Sequence, residues 1–116
     1  MEPNYDHMKE YESSSVSKKY VKDKIRELKK TKTFAVGAAS SPETRLEELS
    51  AETGLKTMYV LCKTKTQTQA ESMEKDIVNV FGKVKKNYNV VKNDTPQQTG
   101  GGNLTKGANY LYLLTK

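Results

Sequence analysis

The stretch TGGGNLTKG gathers residue types suited to holding an anion. Gly100, Gly101 and Gly102 leave three successive backbone N–H groups free to converge on one point, as they do in a phosphate-binding nest. Thr99, Asn103, Thr105 and Lys106 add side-chain donors around them. Arg26 and Arg45 carry guanidinium forks that match the oxygens of a phosphate. Phe81, Tyr88, Tyr110 and Tyr112 present flat faces on which a base stacks, and Asn89 and Asn93 can bond to base edges or ribose hydroxyls. Each feature also has a plainer use. The glycine run lacks the lysine–serine pair of a P-loop and serves equally as a surface turn or loop. Phe81 closes an apolar helical face and suits a core position.

Other chemistries are poorly supplied. His7 is the one histidine and Cys62 the one cysteine in 116 residues. A histidine-based triad, a multi-histidine or thiolate metal site and a disulfide framework are therefore not expected. The reading is of a protein that binds without catalysing, with no cofactor and no metal. Formal net charge is +6, concentrated in VSKKYVKDKIRELKKTK, where Lys18, Lys19, Lys22, Lys24, Arg26, Lys29, Lys30 and Lys32 face only Asp23 and Glu27. Such a stripe draws phosphates, or is simply a solvated helix face. No apolar run is long enough to cross a membrane, and a cytoplasmic location is expected, that of a host cell if the chain is phage-encoded.

The elements that position these residues follow from periodicity. Residues 1–14 read as a polar tail and 15–32 as a basic amphipathic helix with Val21, Ile25 and Leu28 in register. KTFAVGAAS and KTMYVLCKT are rich in strand formers. Between them SSPETRLEELSAETGL is a helix punctuated by Ser41, Pro42 and Gly54, with Leu46 and Leu49 facing inward. TQTQAESMEKDIVNVFG is a helix with Ala70, Met73, Ile77, Val78 and Phe81 on one face and Gly82 as its stop. Glu74 falls in the middle of that apolar face, where a carboxylate is costly unless paired or facing a cavity. It is either a binding-site acid, an edge residue reaching outward, or a structural partner of Arg45. YNVVKN is a short extended piece, the Gly-rich loop spans 99–107, and ANYLYLLTK is a closing strand. In that strand Tyr110 and Tyr112 share one face and Leu111 and Leu113 the other. The whole is an α/β or α+β fold, with a three- to four-stranded sheet and flanking helices over 33–116.

Two resemblances attach to these residues. FAVGAASSPETRLEELS resembles the strand and arginine-bearing helix of the GIY-YIG nuclease fold, with Arg45 at the arginine. AESMEKDIVNVFG resembles the helix with that family's metal-binding glutamate, at Glu74, and YNVVKND its asparagine segment, at Asn89 or Asn93. The chain departs from the pattern where Ala35, Val36 and Gly37 replace the strand ending in tyrosine, isoleucine and glycine, so the tyrosine general base is missing. The small size, the basic helix and TGGGNLTKGANYLYLL look similar to phage-encoded Thoeris anti-defence proteins of the first kind. That resemblance implies an oligomeric sponge that sequesters a cyclic ADP-ribose-type signal nucleotide without cleaving it. The alternative is a degenerate GIY-YIG-like nuclease or DNA-binding module. A homo-oligomer is also expected from size, because a helix outside a thin core needs a partner to cover Val21, Ile25 and Leu28.

Overall fold

A computed structural model of the chain describes residues 2–30, 33–81 and 104–116. Within them the order is β1 (Lys9–Glu10), α1 (Ser14–Lys29), β2 (Phe34–Ala39), α2 (Pro42–Thr53), β3 (Thr57–Thr64), α3 (Gln67–Phe81) and β4 (Asn109–Thr115). The four strands form one mixed sheet in the order β1-β3-β4-β2, an α+β fold. β4 is antiparallel to both of its neighbours, so β2 and β3 point the same way with β4 between them.

The alternation in β4 sorts the two layers. Leu111 and Leu113 pack with Val36, Ala38 and Leu61 beneath Val21 and Ile25 of α1 and Met73, Ile77 and Phe81 of α3. Tyr112 and Leu114 face the opposite side with Ala35, Val60 and Met58, under Leu46 and Leu49 of α2. Both faces of β4 are thus covered within one chain, whereas the alternation left one face available to a partner or ligand. Tyr112 is 0% exposed, which removes it as a stacking surface.

α1 corrects another expectation. It runs Ser14–Lys29, capped by the Ser13 side chain, which accepts from the Val16 amide. It lies on the sheet beside α3, not outside the core, and Val21 and Ile25 are each 0% exposed. Val21 and Ile25 therefore need no partner subunit to cover them, contrary to the expectation from size. Its cations are also largely engaged. Lys19 and Arg26 pair with Asp23, Lys24 with Glu27, and Lys22 with Asp76 of α3.

The segment expected as a polar tail is tied to the edge of β3. Asn4 donates its amide to the Met58 carbonyl and accepts from the Val60 amide, and Tyr11 donates to the Lys63 carbonyl. Lys9 and Glu10 pair in parallel with Cys62 and Lys63. β3 adapts with a register irregularity between Val60 and Cys62. Gly54 ends α2 in the left-handed conformation at φ 78°, where a side chain is strained, as its position after the last periodic residue predicts.

Because Ile25 packs inside the monomer, truncating it tests the core and not an interface. Ile25→Ala is expected to destabilise the chain by about 2–4 kcal/mol in urea unfolding, independently of protein concentration. A midpoint that rises with concentration would show instead that Ile25 sits between subunits.

Candidate functional site

The C-terminal ends of the parallel strands β2 and β3 lie at one end of the sheet, together with the start of β4, as the pairings Ala39–Tyr110 and Thr64–Asn109 require. From that end α2 departs over one face and α3 over the other. A crevice outside the carboxyl ends of strands whose helices diverge is where open α/β sheets bind ligands.

The two helix starts differ. α3 is closed by its own side chains: the Thr66 hydroxyl accepts from the Gln69 amide, and the Gln69 side chain accepts from the Lys65 amide. α2 has Ser41 at the capping position without a side-chain cap, because its hydroxyl is turned to the Thr44 hydroxyl at 3.1 Å. Pro42 has no N–H, and the Glu43 and Thr44 amides begin a helix whose dipole favours negative charge. Glu43 itself bonds outward to the Tyr5 hydroxyl.

Arg45 stands one turn into α2. Its Nη1 donates to Glu48 at 3.1 Å, while Nε is buried with no hydrogen-bond partner. Burial opposes its charge, but Tyr112 and Glu48 outweigh burial and raise the guanidinium above its ordinary value. Glu74 reaches the same strand end from α3. Only 4% exposed, its Oε2 accepts the Ala38 amide at 3.1 Å. Burial pushes its pKa up to about 7; the Ala38 amide and the charge of Arg45 lower it, and Glu71 raises it slightly. The carboxylate occupies the place of a neighbouring strand's carbonyl along the outer side of β2.

Thr105 and Lys106 belong to this end as well, exposed in the turn before β4. Asn109, fully buried, holds that turn: its side chain accepts from the Thr105 amide at 2.9 Å and donates to the Thr105 and Gly107 carbonyls. The Thr105 amide is thereby committed, leaving its hydroxyl and the Lys106 ammonium for a ligand. Tyr110 is half-buried over the α2 side.

Arg45 and Glu74 thus stand beside β2, and Thr105 and Lys106 in the turn before β4 at the same end of the sheet, whereas Arg26 and Phe81 lie elsewhere. Phe81 is 2% exposed in the core and packs edge-on to Phe34, at the opposite end of β2, with the Arg26 guanidinium over its ring at 5.5 Å. Tyr88, Asn89, Asn93, Thr99, Gly100, Gly101, Gly102 and Asn103 lie outside the described residues. Three groups went unread in the sequence: the Ala38 amide, the Asn109 clamp, and Tyr112 as a support for Arg45. The small run AVGAA signalled close packing beside β2, and an asparagine just before a strand signalled turn chemistry. Nothing local linked Tyr112 to Arg45.

A separate recess of about 70 Å³ lies between β1 and α1, lined by Lys9, Tyr20, Ser17 and Cys62 among others. Burial pushes the Cys62 thiol up to about 11, which keeps it protonated and unreactive near neutrality. Among the described residues no three His, Cys, Asp or Glu side chains group to hold a metal ion, and no helix is long and apolar enough to cross a membrane. Comparison of the chain with protein-family models, with curated proteins and with solved structures returns no match.

The raised pKa of Glu74 makes stability depend on pH. Its folded value of about 7 lies above the ordinary 4.5, so the folded chain binds more protons between them. Stability contributed by this group falls as pH rises through that window and stays low above it, by up to about 3 kcal/mol. Glu74→Gln preserves an acceptor for Ala38 and removes the charge. Urea unfolding is expected to show the variant equal to the parent near pH 4.5 and more stable by about 2–3 kcal/mol at pH 8.

Proposed function

We propose that the protein is a non-enzymatic binding protein that sequesters a phosphorylated signal nucleotide at the C-terminal end of β2. The observation that carries this reading is the buried Nε of Arg45, without a hydrogen-bond partner, one turn past a helix start that has no side-chain cap. The arginine is already oriented by Tyr112 and Glu48, and helix amides and a guanidinium are complementary to a diphosphate. Lys106 adds a mobile charge at the rim, and the half-buried Tyr110 offers a ring beside it. Glu74, whose pKa burial pushes up to about 7, is a carboxyl that a ribose hydroxyl can bond. The resemblance to Thoeris anti-defence proteins makes cyclic ADP-ribose the ligand class, and counteracting a host antiviral signal the role.

A second reading is favoured by one arrangement: the charge of Arg45 on α2 lowers the pKa of Glu74 on α3 against burial, and these are the residues that match the GIY-YIG pattern. A nuclease of that kind would need a general base, and Ala35 stands where the family's strand has its tyrosine.

Thermal unfolding with cyclic ADP-ribose separates the two. Saturation at 100 times Kd stabilises the folded chain by about 2.7 kcal/mol, and heating should release the ligand intact. Arg45→Lys, which keeps the charge but loses the fork, is expected to remove most of that shift. Absence of any shift with the parent chain, together with magnesium-dependent nicking of plasmid DNA that Glu74→Ala abolishes, would establish the nuclease in its place.

A further inference from the structure

The N-terminal segment is a strand by its hydrogen bonds but contributes little to the core. Asn4 bridges Tyr59 in parallel, its amide donating to the Met58 carbonyl and its carbonyl accepting from the Val60 amide. β1 then pairs Lys9 with Cys62 and Glu10 with Lys63, and the Tyr11 amide donates to the Lys63 carbonyl. Between the two attachments the chain makes a turn, closed by the Met8 amide on the Tyr5 carbonyl, beside the irregularity in β3. Two side chains latch the segment to the helices. The Tyr5 hydroxyl donates to Glu43 of α2, and the Tyr20 hydroxyl of α1 donates to the His7 carbonyl. Pro3 alone is buried among residues 2–11. The link to the rest of the chain is short: Glu12 and Ser13 separate the Tyr11 bond from the start of α1 at Ser14. The chain reverses there, because β1 runs with β3 and α1 leads back to Phe34, which shares Thr115 with Thr57 at the other end of the sheet.

We infer that residues 2–11 are an exchangeable strand: in a pair of copies each segment leaves its own β3 and pairs with β3 of the other, giving a strand-swapped homodimer. The segment is the cover of the outer edge of β3, and an edge strand that loses its cover presents unpaired backbone groups to any extended chain. The occupant is a second copy because of the latches. A foreign peptide could match the backbone of β3, but a second copy also brings Tyr5 to Glu43 and the His7 carbonyl to Tyr20. No new complementarity has to arise, and with one buried proline to release, the opening is a local one. The monomer and the swapped dimer differ at Glu12 and Ser13 and in nothing that the segment touches. Its contacts are present in both forms and absent only in the open state between them. Weakening one of them therefore speeds the exchange and leaves the equilibrium where it was, unlike a mutation in an ordinary interface, which lowers the dimer fraction.

The tethered segment competes at an effective concentration of about 1 mM, so the full chain is incubated near that concentration and followed by size-exclusion chromatography with light scattering. A dimer is expected to grow with time and to survive dilution long enough to be isolated. Lys9→Cys identifies it. Position 9 is the register partner of Cys62 and lines the same recess, within reach of a disulfide. Oxidising the isolated dimer of this variant should join the introduced thiol of one copy to Cys62 of the other and give a covalent dimer on a non-reducing gel. Oxidising the monomer should give an internally bridged chain that no longer exchanges. Tyr5→Phe, which removes the latch on Glu43, is expected to reach the parent's dimer fraction about fivefold faster. A parent chain that stays monomeric throughout overturns the inference. So does a dimer whose oxidised Lys9→Cys form runs as monomers, because the copies then meet through another surface, and so does a Tyr5→Phe chain whose dimer fraction falls. Should Lys9→Cys fail to fold, isotope-filtered NMR on a parent dimer mixed from labelled and unlabelled chains puts the same question. Contacts between Asn4 of one chain and Val60 of the other support the exchange, and contacts confined to single chains overturn it.

Discussion

The whole sheet hangs on β4, the last strand in sequence and an interior strand in space. Its seven residues join β2 and β3, which pair with it and not with each other. It also separates the two apolar layers, since Leu111 and Leu113 face α1 and α3 while Tyr112 and Leu114 face α2. Every pairing it makes spans a long loop in sequence, so closure entropy precedes the reward of burial. The helices pack locally, but no layer is complete until this strand is in place.

The same strand sets the geometry of the strand-end site. Tyr112 is buried at its centre and supports Arg45, and Asn109 at its start fixes the turn that presents Thr105 and Lys106. β2 contributes through the small size of its side chains. Ala38 and Ala39 are both buried at the strand end, where the Ala38 amide donates to Glu74. The site thus draws on both sides of the sheet, and the charges of Arg45 and Glu74 are largely shielded from water while Lys106 is exposed.

Much of this was legible. Ser41, Pro42 and Gly54 bracketed α2, and the period of Ala70, Met73, Ile77 and Phe81 marked the buried face of α3. The intrusion of Glu74 into that face pointed to an unusual carboxylate, and Glu74 is buried against a backbone amide. The alternation of β4 sorted its side chains correctly but could not say that both sets are covered, because coverage depends on helices distant in sequence. The N-terminal segment was misread for a related reason. Its attachment to β3 uses backbone groups, which leave no pattern of side chains, and a two-residue strand is too short for any period. The cationic helix looked free because Asp76, which neutralises Lys22, lies on another element.

That N-terminal strap has a consequence for how the molecule breathes. It is held along β3 by a handful of backbone hydrogen bonds, and to α1 by the Tyr20 hydroxyl donating to the His7 carbonyl and the Glu12 amide donating to the Ser17 hydroxyl. Few of its side chains are buried, so releasing it loses little apolar contact compared with opening either core. Segments of this kind exchange their amide hydrogens through local fluctuations, not through global unfolding. The amides of Asn4 and Tyr11, and that of Val60 opposite, therefore report a faster clock than those of β4. When the strap lifts, the recess over Cys62 opens to solvent, and the outer edge of β3 is bared for as long as the excursion lasts.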